Sequence, residues 1–268
     1  MEFTDQLNRK INLESTPKRI VSIVPSQTEL LHHLGLDMEV IATTKFCVHP
    51  QSWFRNKTRI GGTKNLNIDK IVELRPDLIL ANKEENEQVQ LDALCKTTPV
   101  WISDIHNLSE ALQMIESVGV LINKKTNASK LIGEIKAAFE KLKLSIGPNQ
   151  SKTVLYLIWH NPYMTIGSDT FISDMLSRCG LTNCIQQTRY PKIAIEEIRE
   201  LNPDYIFLSS EPFPFKQKHI EELQKELPLT KIEMVNGEMF SWYGNRMKIS
   251  PVYFAELLSK LKGALSLP

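Results

Sequence analysis

The residues of this chain that can hold a metal or carry nucleophilic and acid–base chemistry are few and dispersed. There are six histidines and four cysteines among 268 residues. Cys47, Cys95, Cys179 and Cys184 form no CxxC pair, so neither a zinc nor a redox motif is present. HExxH, the GxSxG elbow, the P-loop GxxxxGK[ST] and GxGxxG are all absent, and Gly61-Gly62-Thr63-Lys64 lacks the preceding strand and spacing of a phosphate cradle. His49 and His160 lie in loops, where each is either a solvated side chain or a neutral imidazole ligand; with Cys47 they are candidates for a soft metal site. His32 and His33 fall in a helix and are read as outside it. Arg246, three residues past the Trp242-Tyr243 pair, is either a solvated arginine or a bidentate fork for a ligand carboxylate or phosphate. The pattern points to binding rather than catalysis, since no acid–base pair is spaced for a reaction.

Composition narrows the class further. The net charge is 32 − 31 = +1, with 42% hydrophobic and 24% charged residues. These proportions suit one large globular domain or two modest ones. The balanced charge offers no basic face for nucleic acid, which is excluded as a partner. No run nears the roughly 18 apolar residues of a membrane span. Met1 to Lys10 is too polar for a signal peptide, so the chain taken literally stays in the cell with four reduced, mostly buried thiols.

The elements that must position these residues alternate. Arg19 to Val24 is β-branched and stops at Pro25, a buried strand; Ser26-Gln27-Thr28-Glu29 then reads as a capping box with Ser26 as cap, opening a helix closed by Gly35. A short helix from Ile68 to Leu74 leads through Pro76-Asp77 into the strand Leu78 to Ala81. Val100 to Ile102 is a strand and Leu108 to Val118 a helix. Leu131, Ile135, Ala138, Phe139, Leu142 and Ile146 share one face of a long helix from Asn123 to Gly147-Pro148. Val154 to Trp159 opens a second α/β region, with Trp159 read as core; a helix from Thr170 to Arg178 follows, and Ser250-Pro251 starts a last helix facing inward through Phe254, Leu257, Leu258, Leu261 and Leu265.

An internal repeat organises this list. Asp69 to Ile79 (DKIVELRPDLI) recurs as Glu196 to Ile206 (EEIRELNPDYI), 196 − 69 = 127 residues later. The expected fold is therefore two similar Rossmann-like lobes with parallel sheets, residues 1–122 and 148–268, joined by the long helix 123–147. The expected site is a cleft between them, at the carboxyl ends of parallel strands.

Pro17-Lys18-Arg19-Ile20-Val21-Ser22, Pro25-Ser26-Gln27-Thr28-Glu29, Gly61-Gly62, Pro76-Asp77-Leu78-Ile79 and Asn161-Pro162 occur here in an order that resembles the substrate-binding proteins of ABC importers with a rigid helical backbone, the type that carries cobalamin, ferric siderophores or haem. The resemblance runs from Asp5 to the C-terminus and is nearest the cobalamin-binding branch. It implies a monomer that captures a metal-containing ligand (corrinoid, ferric siderophore or haem) without any catalytic cofactor, and delivers it to a membrane permease dimer. It places the ligand wall at Ser26, Gln27, Phe46 to His49, Thr63, Lys64, the stretch after Ala81, Asn161 to Tyr163, Tyr190 and Trp242 to Arg246, with Phe46, Tyr163, Tyr190, Trp242 and Tyr243 as flat apolar faces. It places permease-docking acids at Asp69 and Glu196, the two carboxylates paired by the repeat. Each also opens a helix, where an acid favours the dipole by about 0.3 to 1 kcal/mol.

The chain departs from that branch at defined points. Thr63 and Tyr190 stand where tryptophans line the corrin, and Ser241 replaces an acid before Trp242. The disulfide implied by the resemblance keeps one end, Cys179, while the last helix has no cysteine, which suits a reducing compartment. The resemblance implies a periplasmic or cell-envelope location, the sequence as it stands a cytoplasmic one. Three alternatives follow: a signal-less cytosolic metallocofactor-binding protein without a transport role, a divergent enzyme, and a direct zinc or manganese binder.

Overall fold

A computed structural model describes residues 1–146 and 152–263 of the chain. Gly147-Pro148 and Leu265, assigned above to the end of the long helix and the face of the last one, lie outside the described residues. Two compact units divide the chain. The first is Met1–Ile105, Ser109–Glu134 and Tyr243–Asn245; the second is His106–Leu108, Ile135–Trp242 and Arg246 onward.

In the first unit a small antiparallel hairpin, β1 (Glu2–Thr4) with β2 (Lys10–Asn12), precedes a five-stranded parallel sheet. The sheet comprises β3 (Ile20–Ser22), β4 (Val40–Thr43), β5 (Thr58–Arg59), β6 (Leu78–Asn82) and β7 (Val100–Ser103), in the order β5-β4-β3-β6-β7. Helices α1 (Pro25–His33), α2 (Gln51–Asn56), α3 (Ile68–Glu73), α4 (Gln88–Cys95) and α5 (Leu108–Leu121) connect or follow the strands. β3, β6 and β7 are buried along their whole length, apolar except at their polar last residues Ser22, Asn82 and Ser103, because a parallel sheet is covered on both faces. Val21, Ile23, Ile79, Ala81, Ile71 and Leu94 form one buried cluster. The long helix α6 (Lys125–Ile146) follows as the 3.6-residue periodicity requires, with Ala128, Leu131, Ile135, Phe139 and Leu142 buried; it belongs to the first unit up to Glu134 and to the second from Ile135.

In the second unit β8 (Lys152–Trp159), β10 (Leu181–Asn183), β11 (Tyr205–Ser209) and β12 (Lys231–Val235) are parallel in the order β10-β8-β11-β12, and the short β9 (Met164–Thr165) pairs antiparallel with β8. Helices α7 (Phe171–Arg178), α8 (Ile195–Leu201), α9 (Gln217–Glu226), α10 (Gly237–Ser241) and α11 (Ser250–Gly263) surround them. Leu155, Leu157, Ile198, Ile206, Leu208 and Leu223 form the cluster beneath this sheet. The strand order repeats that of the first unit: β3 and β8 each carry the following parallel strand, β4 or β10, on one side and the next, β6 or β11, on the other. The connection therefore reverses direction at β3/β6 and again at β8/β11. At such a switch point the loops beyond the carboxyl ends diverge and leave room for a ligand.

The repeated Pro-Asp turn has one physical role in both copies. Arg75 and Asn202, 202 − 75 = 127 residues apart, both take a left-handed conformation (φ 46° and 41°) that ends the helix before the proline. Asp77 then accepts the backbone N–H groups of Lys18 (2.7 Å) and Arg19 (2.9 Å), fixing the entry to β3. Asp204 accepts the N–H of Thr153 (2.8 Å) and its Oγ1 (2.9 Å), fixing β8 in the same way, and pairs with Lys152 Nζ at 2.7 Å.

Two local readings are corrected. Ser26 does not cap α1: Val24 is the N-cap, with no side-chain cap bond, and Pro25 takes the first helical turn, where its fixed φ and missing N–H cost nothing. Nor are the thiols mostly buried, since Cys47 and Cys179 are, Cys184 is half-buried and Cys95 is exposed; none is in a disulfide. Among the described residues no helix is long and apolar enough to cross a membrane.

Candidate functional site

At the carboxyl end of the first unit's sheet, polar strand ends organise the loops. Asn82, the last residue of β6, accepts the N–H groups of Glu84 and Glu85 through Oδ1 and donates through Nδ2 to Ser103, so the stretch after Ala81 is folded back on the sheet. Asn86 Nδ2 donates to the Thr63 carbonyl at 3.0 Å. Gln27 is fully buried and its amide donates to Ser103 Oγ (2.5 Å); it shapes the sheet end from within. Ser26 is also buried, and its Oγ has no hydrogen-bond partner. Lys64 is engaged, donating to the Glu84 carbonyl (2.6 Å) and pairing with Glu87 (3.3 Å). Tyr243 is buried in this unit and its hydroxyl donates to Glu85 at 2.8 Å. Of the first unit's ligand-wall aromatics, Phe46, after β4, presents itself to solvent at 52% exposure; Lys45 Nζ lies over its ring at 5.1 Å and Gly62 packs against it. His49 is half-buried in the same loop.

The second unit builds an aromatic surface at its switch point. β8 ends at Trp159, which its apolar strand neighbours would place in the core; it is instead 41% exposed, because the last residue of the strand emerges past the sheet end. Its ring meets Phe213, in the loop after β11, edge-on at 5.6 Å. His160, the next residue, is surrounded by the rings of Tyr163 (5.2 Å), Phe213 (5.6 Å), Phe215 (6.3 Å) and His219 (4.9 Å). Burial, with Glu222 and Glu226 near by, raises the Tyr163 hydroxyl above the usual phenol value. Asn161 is exposed in a left-handed conformation (φ 61°) that turns the chain from Trp159 toward β9. Tyr190 is half-buried.

Trp242 and Arg246 belong to a buried network of the same unit. Glu211, one residue past Ser209-Ser210, accepts the Ser241 hydroxyl (2.7 Å) and the Trp242 indole N–H (3.0 Å). Burial raises its carboxyl above the ordinary carboxylate value against these two bonds. The Arg246 guanidinium lies over the Trp242 ring at 4.6 Å and pairs with Glu238 at 2.7 Å. A ligand anion that recruited Arg246 would thus compete with Glu238.

His160, His219 and Glu222 bring donor atoms within 4.8 Å of one another; His49 and Cys47 are not part of this group, and Cys47 is buried with its thiol against Thr28 and Thr44. Asp69 and Glu196 are both exposed, in the first turns of α3 and α8. Beside α8 is a cavity of about 400 Å³ lined in part by Cys184, Ile185, Lys192, Glu197 and Glu200. Sequence reasoning missed Glu211, Phe213, Phe215, His219 and Glu222. A signal was present: Ser209 lies 209 − 82 = 127 residues after Asn82, so the repeat maps the noted stretch after Ala81 onto the loop of Glu211 to Phe215.

Comparison with known proteins agrees with this architecture. The family described as periplasmic binding protein matches residues 20–235. An uncharacterized ABC transporter substrate-binding lipoprotein of Bacillus subtilis is 30% identical over 213 residues, 75% of this chain and 67% of the relative. The fold matches the periplasmic vitamin B12-binding protein of Vibrio cholerae (TM-score 0.79, 21% identity, 92% of this chain and 98% of that one). It also matches a periplasmic heme-binding protein of Pseudomonas aeruginosa (TM-score 0.77, 17% identity, 90% and 92%). With the family match spanning both sheets and the repeated switch-point topology beneath it, the chain belongs to the periplasmic binding protein family.

Proposed function

We propose that this chain is the substrate-binding component of an ABC importer, capturing a corrinoid, haem or ferric siderophore on the loops at the carboxyl ends of its two parallel sheets and delivering it to a membrane permease. The observation that carries the reading is the placement of aromatic surface at those ends, the exposed Phe46 in one unit and the exposed Trp159 beside the half-buried Tyr163 and Phe213 in the other. Flat macrocycles and aromatic chelates are held by such faces, with a few polar anchors fixing orientation. Family membership and the likeness to a transporter lipoprotein support a transport role rather than catalysis. In this reading Phe46, His49, Thr63, Asn161, Tyr163, Tyr190 and Trp159 face the ligand, Ser26, Gln27, Lys64, Trp242 and Tyr243 shape the loops behind them, and Arg246 answers a ligand anion. Asp69 and Glu196 dock the permease.

The alternative, a metallocofactor binder without transport, keeps the first half of this reading and drops the second. Asp69→Ala/Glu196→Ala separates the two. In membranes reconstituted with the cognate permease, the double variant is expected to bind ligand as the native chain does while uptake is lost. Uptake at the native rate would remove the docking role, and a parallel fall in ligand affinity would move these acids into the binding site.

A further inference from the structure

We infer that the second unit carries a binding site for a borderline divalent transition-metal ion such as Zn²⁺ or Co²⁺, with His160, His219 and Glu222 as its ligands. The inference does not rest on the proposed cargo, because the ion is bound bare rather than as part of a chelate. His219 and Glu222 are three residues apart on α9 and share a helix face, and His160 comes from the loop just past β8, the strand beside the one that leads into α9. All three are therefore brought together by the β8/β11 switch point. Their donor atoms lie within 4.8 Å of one another, with His160 Nε2 at 3.7 Å from Glu222 Oε2.

The donor set selects the ion. Two imidazoles and one carboxylate suit zinc and its neighbours, whereas calcium and magnesium require oxygen shells. With bonds of about 2.0 to 2.2 Å, tetrahedral donors stand roughly 3.4 Å apart, so donors now within 4.8 Å of one another must draw in by up to about 1.4 Å on binding. Glu222 supplies that freedom, since its side chain is half exposed, while the rings of Tyr163, Phe213 and Phe215 hold His160 in place. Three protein donors leave a coordination position for water or for a donor atom of a ligand.

His219 gives the site a distinctive linkage. Its Nδ1 accepts the Lys216 backbone N–H at 2.8 Å, at the start of α9. The neutral ring therefore carries its proton on Nε2, the nitrogen left for a metal. Ligation at Nε2 moves that proton to Nδ1 and ends the bond to Lys216, so ion uptake and capping of α9 exclude each other. This cost keeps the affinity moderate, on the order of micromolar rather than that of a closed structural zinc site.

The test uses the full chain stripped with a chelator and titrated with Zn²⁺ by calorimetry and with Co²⁺ by its visible ligand-field bands. One ion per chain is expected, together with faster hydrogen exchange at the Lys216 amide on ion addition. Glu222→Gln and His160→Gln are each expected to weaken binding by about tenfold or more. His219→Gln is informative only if circular dichroism shows α9 intact; the other two substitutions lie at half-exposed positions and carry the decision. Absence of saturable binding, or affinity unchanged to within about twofold in either of those variants, would overturn the site.

Discussion

Aromatic residues in this protein divide by exposure into those that offer a face and those that hold the frame, and the two kinds respond differently to truncation. Trp159→Ala and Phe46→Ala remove half-exposed rings, so thermal stability is expected to change little while ligand affinity falls about tenfold or more in fluorescence titrations. Trp242→Ala, in contrast, empties a buried site and strips Glu211 of its indole donor, costing about 3–5 kcal/mol in denaturant unfolding. A Trp242 variant with native stability would contradict the buried network. Asp204 supplies a pH prediction. Burial pushes its carboxyl up, but hydrogen bonds from Lys152, the Thr153 N–H and Thr153 Oγ1 outweigh it and hold the group below its ordinary value. A depressed folded-state value stabilises above the unfolded value and the benefit is lost in acid. Native chain and Asp204→Asn should therefore differ in stability at neutral pH, with the gap narrowing as pH falls below about 4. A gap that widened in acid would reverse the assignment.

Among the elements, the loops that carry chemistry depend on backbone conformations that few residues adopt. Gly61 sits at φ 99°, and a Cβ there would stand 2.4 Å from the Asn65 carbonyl oxygen, so Gly61→Ala is expected to destabilise the first unit by more than about 1 kcal/mol in chemical unfolding. A neutral outcome would mean that the Gly61–Asn65 turn rearranges freely. The alternation of strands and helices was legible in the sequence because it rests on periodicity and on punctuation by proline and glycine. β6, β7, β8, α3 and α6 fall where those signals put them. The capping of α1 was misread because Ser26 satisfies the capping pattern while Pro25 already claims the first turn. Short strands such as β5 and β10, and the hairpin β1/β2, leave too few residues for a period to show.

For the whole chain, the 127-residue repeat was the most productive sequence signal, since it anticipated two similar α/β lobes, each with a helix running through Pro-Asp into a strand; the shared strand order and the bonds from each Asp to the neighbouring strand came only with the structure. The site was less legible. Which aromatics are exposed depends on where a strand runs out beneath its sheet, and spacing alone put Trp159 in the core and gave no sign that His219 and Glu222 would reach His160. Likewise Arg246 stood out beside its aromatics, but its partner Glu238 became visible only with the folding of α10 and the turn that follows it. The family match spans both sheets and fixes the class of molecule, while the cargo is decided by side chains on loops that the repeat only outlines.

Capture of a metal-containing cofactor or chelate is decided by titrating the purified chain with cobalamin, haem and a panel of ferric siderophores. All three absorb visible light and all can quench the four tryptophans, so spectrum and fluorescence report together. Saturable binding of one class at micromolar or tighter affinity is expected, weakened in the Trp159→Ala and Phe46→Ala variants. Absence of saturable binding by any of the three would contradict it.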